Sequence, residues 1–374
     1  MCDTFGVLGT HKIFGKNSDR SPNEVQVVEY IPKHKTKSKN VSLTYIDIPE
    51  VEEVYSILIS RPVWMWGAEM GVNEFGLVIG NEAIFTKGKY QKSGITGMDL
   101  VRLLLERCKS AHDAVKQLKV LIQKYGVGGN CGYDHNFFYN NSFLIMDRRQ
   151  IFVVETTPKS FDVEEKKIAN ISNCITLSHS TIKEDFLYRF FSASRNRFKM
   201  VNQKLNKGID VGDAFSILRS HKNHKYFSGS VGSVCMHAGK MIGDHTTNSM
   251  VVELLPKKIN VYVTMGSCPC ISLYKKWVFG EKVNYPLIQG NVDERYYREI
   301  EQFKRALKNK KIEDSFYQKR DLLESKIIND KISFLDSLKE EKKLYNSTEN
   351  YEIIHKDNSY WKKKNKIYEE ETTC

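Results

Sequence analysis

Over the first sixty residues, apolar and polar positions alternate in short bursts. The runs at 3–8, 12–16, 25–30, 42–46 and 55–60 are too brief for helices and are rich in β-branched and aromatic residues, so they predict strands. In Gly71–Gly80, Asn73-Glu74-Phe75-Gly76 supplies a turn and Leu77 to Ile79 begins a buried strand. The period then changes. Thr96, with Asp99 three residues on, resembles a helix start, and Met98, Val101, Leu105 and Cys108 follow at helical spacing. Ser110 and Asp113 repeat the signal ahead of the stripe Ala114, Val115, Leu118, Leu121 and Ile122, which Gly126 ends. Strands return at 142–146 and 150–155 around Asp147-Arg148-Arg149, with a further edge at 168–173. Residues 184–205 and 211–220 read as helical, and 250–255 and 259–265 as strands around Pro256-Lys257-Lys258. This order is neither a β-α-β alternation nor all-β. It predicts a layered α+β body, two sheets face to face with helices outside.

Beyond about residue 290 the texture becomes charged, with sparse apolar stripes. Residues 297–307 and 320–338 predict amphipathic helices packed on the body or on a partner. From Glu341 onward the chain is polar and is expected to be loosely ordered. The expected division is a domain over 1–285, helices over 286–340 and a tail over 341–374. The C-terminal helices offer a surface for a homo-oligomer.

Composition adds limits. The 374 residues are 41% hydrophobic and 27% charged, ordinary for a globular protein, with a net charge of +12. Much of the Lys lies in the C-terminal third and in the tract Lys33–Lys39, which reads as a solvated loop. No Arg/Lys-aromatic recognition motif accompanies it, so nucleic acid is not an expected partner. No apolar run approaches the ~20 residues that span a bilayer, and no signal peptide is visible, so no membrane insertion is expected. Eight cysteines without a C-x-x-C pair suggest free thiols in a reducing, cytoplasmic compartment.

One cysteine stands directly behind the initiator Met. Removal of Met1 would leave Cys2 with a thiol and an α-amine on one residue, and the amine can serve as general base for its own thiol. Taken alone, the position is better read as a small buried hydrophobic Cys. The segment Gly15-Lys16-Asn17-Ser18-Asp19-Arg20 brings a cation, an amide, a carboxylate and a guanidinium behind a strand. A carboxylate there can hold a terminal ammonium and a cation can favour a thiolate, although a polar hairpin end has the same composition.

A resemblance separates these readings. Cys2-Asp3-Thr4-Phe5, Phe14–Arg20 and Glu24-Val25-Gln26 resemble the opening of the secernins, peptidase family C69 of the N-terminal-nucleophile (Ntn) hydrolases. Further blocks match in the same order, among them Ser60–Glu74, Ile79–Ala83, Gly97–Leu103, Lys124–Cys131, Asn141–Asp147, Asn170–Asn173 and Thr246–Val251. The likeness spans roughly residues 2–280. It implies a four-layer αββα sandwich with C-terminal helices and an N-terminal cysteine nucleophile. In the wider superfamily, penicillin-V-acylase and bile-salt-hydrolase enzymes carry an Arg and an Asp at the end of the next strand. Lys16 and Asp19 fall at those places, and Lys keeps the charge but loses the planar fork. Asn81 and Asn173 fall where the superfamily draws oxyanion donors, with Asn170 a competitor three residues from Asn173.

The implied activity is hydrolysis of C–N amide bonds in a dipeptide or small amide. Cys2 would be the nucleophile, Asp19 would orient the amine, Lys16 would tune the thiolate, and no cofactor or metal is needed. Secernins are also linked with regulated secretion, so an interaction protein with a residual site is the alternative. Cys235-Met236-His237 forms a thiol–imidazole pair if strand-like, but no third group is readable beside it. Cys268-Pro269-Cys270 hints at a metal, yet nothing nearby supplies the remaining ligands. His237 and His245 are candidates for a pocket mouth, and Trp64 and Trp66 for packing. Gly126-Val127-Gly128-Gly129 has no Lys-Ser/Thr behind it, which excludes a phosphate cradle.

Overall fold

The computed structural model describes residues 1–158, 160–222, 227, 229–239, 243–281, 294–354 and 359–373. The chain begins with β1 (Cys2–Leu8), β2 (Lys12–Arg20) and β3 (Gln26–Ile31). Two small hairpin-like pairs follow, from β4 (His34–Lys35), β5 (Asn40–Ser42), β6 (Asp47–Pro49) and β7 (Glu53–Val54). Next come β8 (Ile57–Pro62), β9 (Met70–Asn73), β10 (Val78–Ile84), α1 (Gly97–Arg107) and α2 (Ala111–Tyr125). Strands β11 (Asn140–Met146), β12 (Ile151–Thr156), β13 (Phe161–Lys166) and β14 (Ile168–Ile171) lead to α3 (Phe186–Ser192), α4 (Ser194–Asn202) and α5 (Val211–Leu218). The body closes with β15 (His245–Leu254), β16 (Ile259–Val263) and β17 (Lys275–Val278). Four helices end the chain: α6 (Arg295–Leu307), α7 (Asp314–Ile328), α8 (Phe334–Asn346) and α9 (Ser359–Thr373).

The strands form two large sheets, ordered β14-β1-β2-β15-β16-β17 and β13-β12-β11-β10-β9-β8-β3. Their inner faces meet through Phe14, Val27, Leu58, Val72, Leu144 and Val252. Helices α1 and α2 cover the second sheet, with Leu100, Leu104 and Leu118 against Ile59, Ile79 and Phe143. Helix α5 covers the first, with Ala214 and Leu218 against Phe5, Val7 and Ile13. This is the αββα sandwich that the resemblance implies. Both sheets are covered on their outer faces as well, which is why β12 and β16 read as nearly unbroken apolar runs and not as alternating ones.

The expected helix starts are present. Thr96 and Asp99 form a reciprocal capping box on α1, Ser110 caps α2, and Gly126 takes a φ of 72° at the end of α2. Other expectations shift. The run 42–46 is mostly the turn between β5 and β6. The helix expected over 184–205 is broken at Ala193, which adopts a left-handed φ of 48°. The one expected over 320–338 breaks after Asn329 into α7 and α8. The boundary at 285/286 lies outside the described residues. The expected loose tail is instead largely helical: α8 runs to Asn346, and α9 buries Trp361 and Tyr368. A few large aromatics anchor a segment whose average composition is polar. No helix among the described residues is long and apolar enough to cross a membrane.

Candidate active site

β1 and β2 pair antiparallel with Cys2 opposite Ser18 and Thr4 opposite Lys16. Alternation therefore sends Cys2, Thr4, Lys16 and Ser18 to one face and Asp3, Asn17 and Asp19 to the other. On the first face, Lys16 is fully buried. Its ammonium donates to the Asn81 carbonyl (2.7 Å) and the Glu82 carboxylate (3.3 Å), and it stands 3.9 Å from Glu69. Gly80 makes room for its stem, since a Cβ there would approach Lys16 Cδ to 2.7 Å. Thr4 Oγ1 also bonds the Glu82 carboxylate. Cys2 Sγ faces Glu69 Oε2 at 3.8 Å, while Glu69 Oε1 is held by Arg20 at 2.6 Å. Arg20 is in turn tied to Glu24 (2.6 Å), which also takes the Trp64 indole N–H (2.7 Å).

Burial sets the protonation of this group. It pushes the Cys2 thiol well up, opposed by the Lys16 ammonium. It lifts Glu82 to about 8, again against Lys16. Burial alone would lower Lys16, but Cys2, Glu82 and Glu69 together outweigh it and hold the ammonium above its ordinary range.

On the second face, Asp19 Oδ1 accepts from Thr246 Oγ1 (2.6 Å), and its Oδ2 is buried without a hydrogen-bond partner. A bulge in β15 opposite Ser18 and Asp19 aims Thr246 at this carboxylate. Burial raises Asp19 to about 7, with the N-terminal ammonium opposing. Met1 carries that ammonium here, donating to the Asp19 carbonyl (2.6 Å) and standing 3.6 Å from Asp244. The backbone N–H of Cys2 donates to Asn173 Oδ1 at 2.9 Å, and Asn173 Nδ2 donates to the Ala83 carbonyl at 2.8 Å. Asn170 points away, donating to the Phe198 carbonyl. Of the two asparagines, only Asn173 reaches Cys2.

Asn81 lines the same cavity. Its amide N–H donates to Asn141 Oδ1 (3.3 Å) and towards Met98 Sδ (3.6 Å), and its Oδ1 is buried without a partner. Gly97 permits this: a Cβ there would come 1.9 Å from Asn141 Oδ1. The cavity measures about 240 Å³, and its wall includes Cys2, Asp19, Glu69, Asn81, Phe137 and Tyr139. Helix α9 contributes Tyr360 and Lys364, the latter paired with Asp134.

The sequence reading gave no role to Arg197. It is fully buried and donates to Asp3 (2.8 Å), Asn173 Oδ1 (2.6 Å) and Ser172 Oγ (3.2 Å). No motif surrounds it. Glu69, Glu82 and Thr246 were also passed over, although each lies inside a matched block. A single acid within a block carries no signal until its partner is known.

Two further expectations are corrected. His237 and His245 do not line the mouth; both are buried. The ligands that Cys268-Pro269-Cys270 lacks in sequence arrive from other segments, where Cys235, His221 and His237 converge with Cys270.

The sequence model of the acyl-coenzyme A:6-aminopenicillanic acid acyl-transferase family matches residues 8–235, more than half of the chain. Among solved structures, penicillin V acylase from Agrobacterium tumefaciens is similar at 10% identity and a TM-score of 0.48, over 75% of this chain and 87% of that one. Conjugated bile acid hydrolase from Clostridium perfringens is similar at 15% identity and 0.45, over 76% and 99%. The Caenorhabditis elegans orthologue of N-acylethanolamine-hydrolyzing acid amidase is similar at 10% identity and 0.39, over 67% and 92%.

Proposed function

Because the chain belongs to the acyl-coenzyme A:6-aminopenicillanic acid acyl-transferase family, we propose that it is an Ntn hydrolase that cleaves C–N amide bonds through Cys2, acting as a secernin-like dipeptidase or small-amide hydrolase. Removal of Met1 frees the Cys2 amine. That amine takes the thiol proton as sulfur attacks the substrate carbonyl, then gives it to the departing amine. Water hydrolyses the resulting thioester. Asn173 Oδ1 and Asp19 hold the amine. Lys16 favours the thiolate, and Asn81, which lines the cavity, and Asn173 supply the oxyanion donors once their amides turn from Asn141 and from the Ala83 carbonyl.

The observation that carries this reading is the seat of Cys2. Its nitrogen is bonded to Asn173, and the residue lines a small cavity beside a buried ammonium. A volume of about 240 Å³ is below the roughly 300–1,000 Å³ of drug-sized pockets, which favours a small substrate. Asp244, already 3.6 Å from the Met1 ammonium, favours one with a free amino group. The test is release of amino acids from a panel of dipeptides and their N-acetylated forms. The expected result is cleavage of free dipeptides by wild type and none by Cys2→Ala. Cleavage by both proteins would place the chemistry elsewhere.

The alternative, an interaction protein of regulated secretion, has one observation in its favour. Helix α3 exposes Phe186, Leu187, Phe190 and Phe191 by 60–71%, more apolar surface than a short helix ordinarily leaves in water. A chain that cleaves no member of the panel while its Cys2 is free would favour that reading.

A further inference from the structure

Away from the Cys2 cavity, six cysteine and histidine side chains from four segments of the chain meet in the interior. His221 follows α5, Cys235 and His237 precede β15, His245 begins β15, and Cys268 and Cys270 follow β16. We propose that His221, Cys235, His237 and Cys270 form a tetrahedral zinc site.

The distances carry the proposal. The four ligand atoms all lie within 4.8 Å of one another. His237 Nε2 stands 3.1 Å from His221 Nε2, 3.6 Å from Cys235 Sγ and 3.4 Å from Cys270 Sγ. A tetrahedral ion with bonds of about 2.3 Å to sulfur and 2.0–2.1 Å to nitrogen has S···N edges of about 3.6 Å and an N···N edge of about 3.3 Å. A ring nitrogen has one proton or one lone pair, so His237 Nε2 cannot satisfy three such neighbours by hydrogen bonds. A shared cation can. Two thiolates and two imidazoles in a tetrahedral arrangement suit zinc among the divalent metals.

The surroundings fix the tautomers that this requires. The Ala238 N–H donates to His245 Nδ1 (3.0 Å), so the His245 proton sits on Nε2, 3.0 Å from Cys268 Sγ. His237 Nδ1 faces the same sulfur at 3.5 Å. With Nε2 on the metal, His237 donates its Nδ1 proton to Cys268, the outer-shell bond by which a ligating histidine is usually oriented. Cys268 is therefore a positioning residue and not a ligand.

The site would clamp the frame of the Cys2 cavity. Met236, between two ligands, donates its N–H to Thr246 Oγ1 (2.8 Å), which donates to Asp19. The Cys268 N–H donates to the Thr246 carbonyl (2.9 Å).

The test is the metal content of the full chain, purified under reducing conditions without chelator and measured by plasma mass spectrometry. About one zinc per chain is expected. Cys270→Ser and His221→Ala should each lose it, and Cys268→Ser and Cys131→Ser should retain it. Wild type stripped with a chelator should take up Co²⁺ with thiolate-to-cobalt absorption in the near ultraviolet, a readout that does not depend on the variants folding. The proposal is overturned by a reduced chain that binds neither zinc nor cobalt, by zinc retained in both ligand variants, or by an intact mass showing Cys235 and Cys270 joined as a disulfide.

Discussion

Replacing Arg197 with Met removes a charge from the interior while roughly keeping the length of the side chain. The guanidinium is fully buried and donates to Asp3 at 2.8 Å, to Asn173 Oδ1 at 2.6 Å and to the Val231 carbonyl at 2.8 Å. Asp3 is itself buried, and its Oδ1 already lacks a partner. Burial raises the Asp3 carboxyl, and Arg197 is the chief force against that rise. Without Arg197 the carboxylate must stay charged and unpaired or take up a proton. Breaking a buried pair in this way costs about 3–5 kcal/mol. Protonating a carboxyl at pH 7 from its ordinary value of 3.8 gives a similar figure, about 4 kcal/mol at about 1.4 kcal/mol per unit. Either is a large share of a total stability of about 5–15 kcal/mol. Urea unfolding should therefore show Arg197→Met losing about 3–5 kcal/mol at pH 7, and less at pH 5, where the proton is cheaper. Asp3→Asn combined with Arg197→Met should recover at least half. Turnover should stay low in the double variant, because Asn173 Oδ1 has lost the guanidinium that holds it beside the Cys2 nitrogen. A loss below about 1 kcal/mol, or a double variant no more stable than Arg197→Met at pH 7, would refute this account of the buried pair.

Three further outcomes are expected. Burial lifts Asp19 to about 7 in the folded chain, against an ordinary value of 3.8. Between those values the unfolded chain ionises it and the folded chain does not, so wild type should lose stability from pH 4 to pH 7. Asp19→Asn should flatten that slope in urea titrations, and an unchanged slope would remove Asp19 as its source. Asn173→Ala should slow both alkylation of Cys2 and hydrolysis, whereas Asn81→Ala should slow hydrolysis by about a hundredfold and leave alkylation unchanged. Equal effects on both assays in both variants would merge the two roles. Trp361 is 2% exposed and donates to the Phe227 carbonyl, so Trp361→Ala should cost about 3–5 kcal/mol in urea unfolding; a loss under about 1 kcal/mol would restore the loose tail.

The sandwich was legible in sequence because its strands are short and punctuated and because α1 and α2 announce their starts at Thr96 and Ser110. Strands β13 and β17 were missed. β13 is a charged edge, Phe161–Lys166, and β17 is four residues of Lys-Lys-Trp-Val, so neither carries a clear period. The tail was misread because burial of Trp361 and Tyr368 depends on where the body presents Phe227 and Arg305 to receive them. In the site, Cys2, Lys16 and Asp19 were readable as neighbours on one hairpin. Arg197 and the cysteine–histidine cluster were not, since their members lie up to 194 residues from their partners and only folding brings them together.

The central claim is that the protein acts through an N-terminal Cys2. The most direct measurement is intact mass and N-terminal peptide mapping of purified protein after brief exposure to an amine-directed and a thiol-directed acylating probe. The account predicts a chain that starts at Cys2 and carries a single thiol-probe adduct on that residue, which Cys2→Ala fails to acquire. A chain that keeps Met1 throughout, or one acylated at another cysteine while Cys2 stays unmodified, would contradict it.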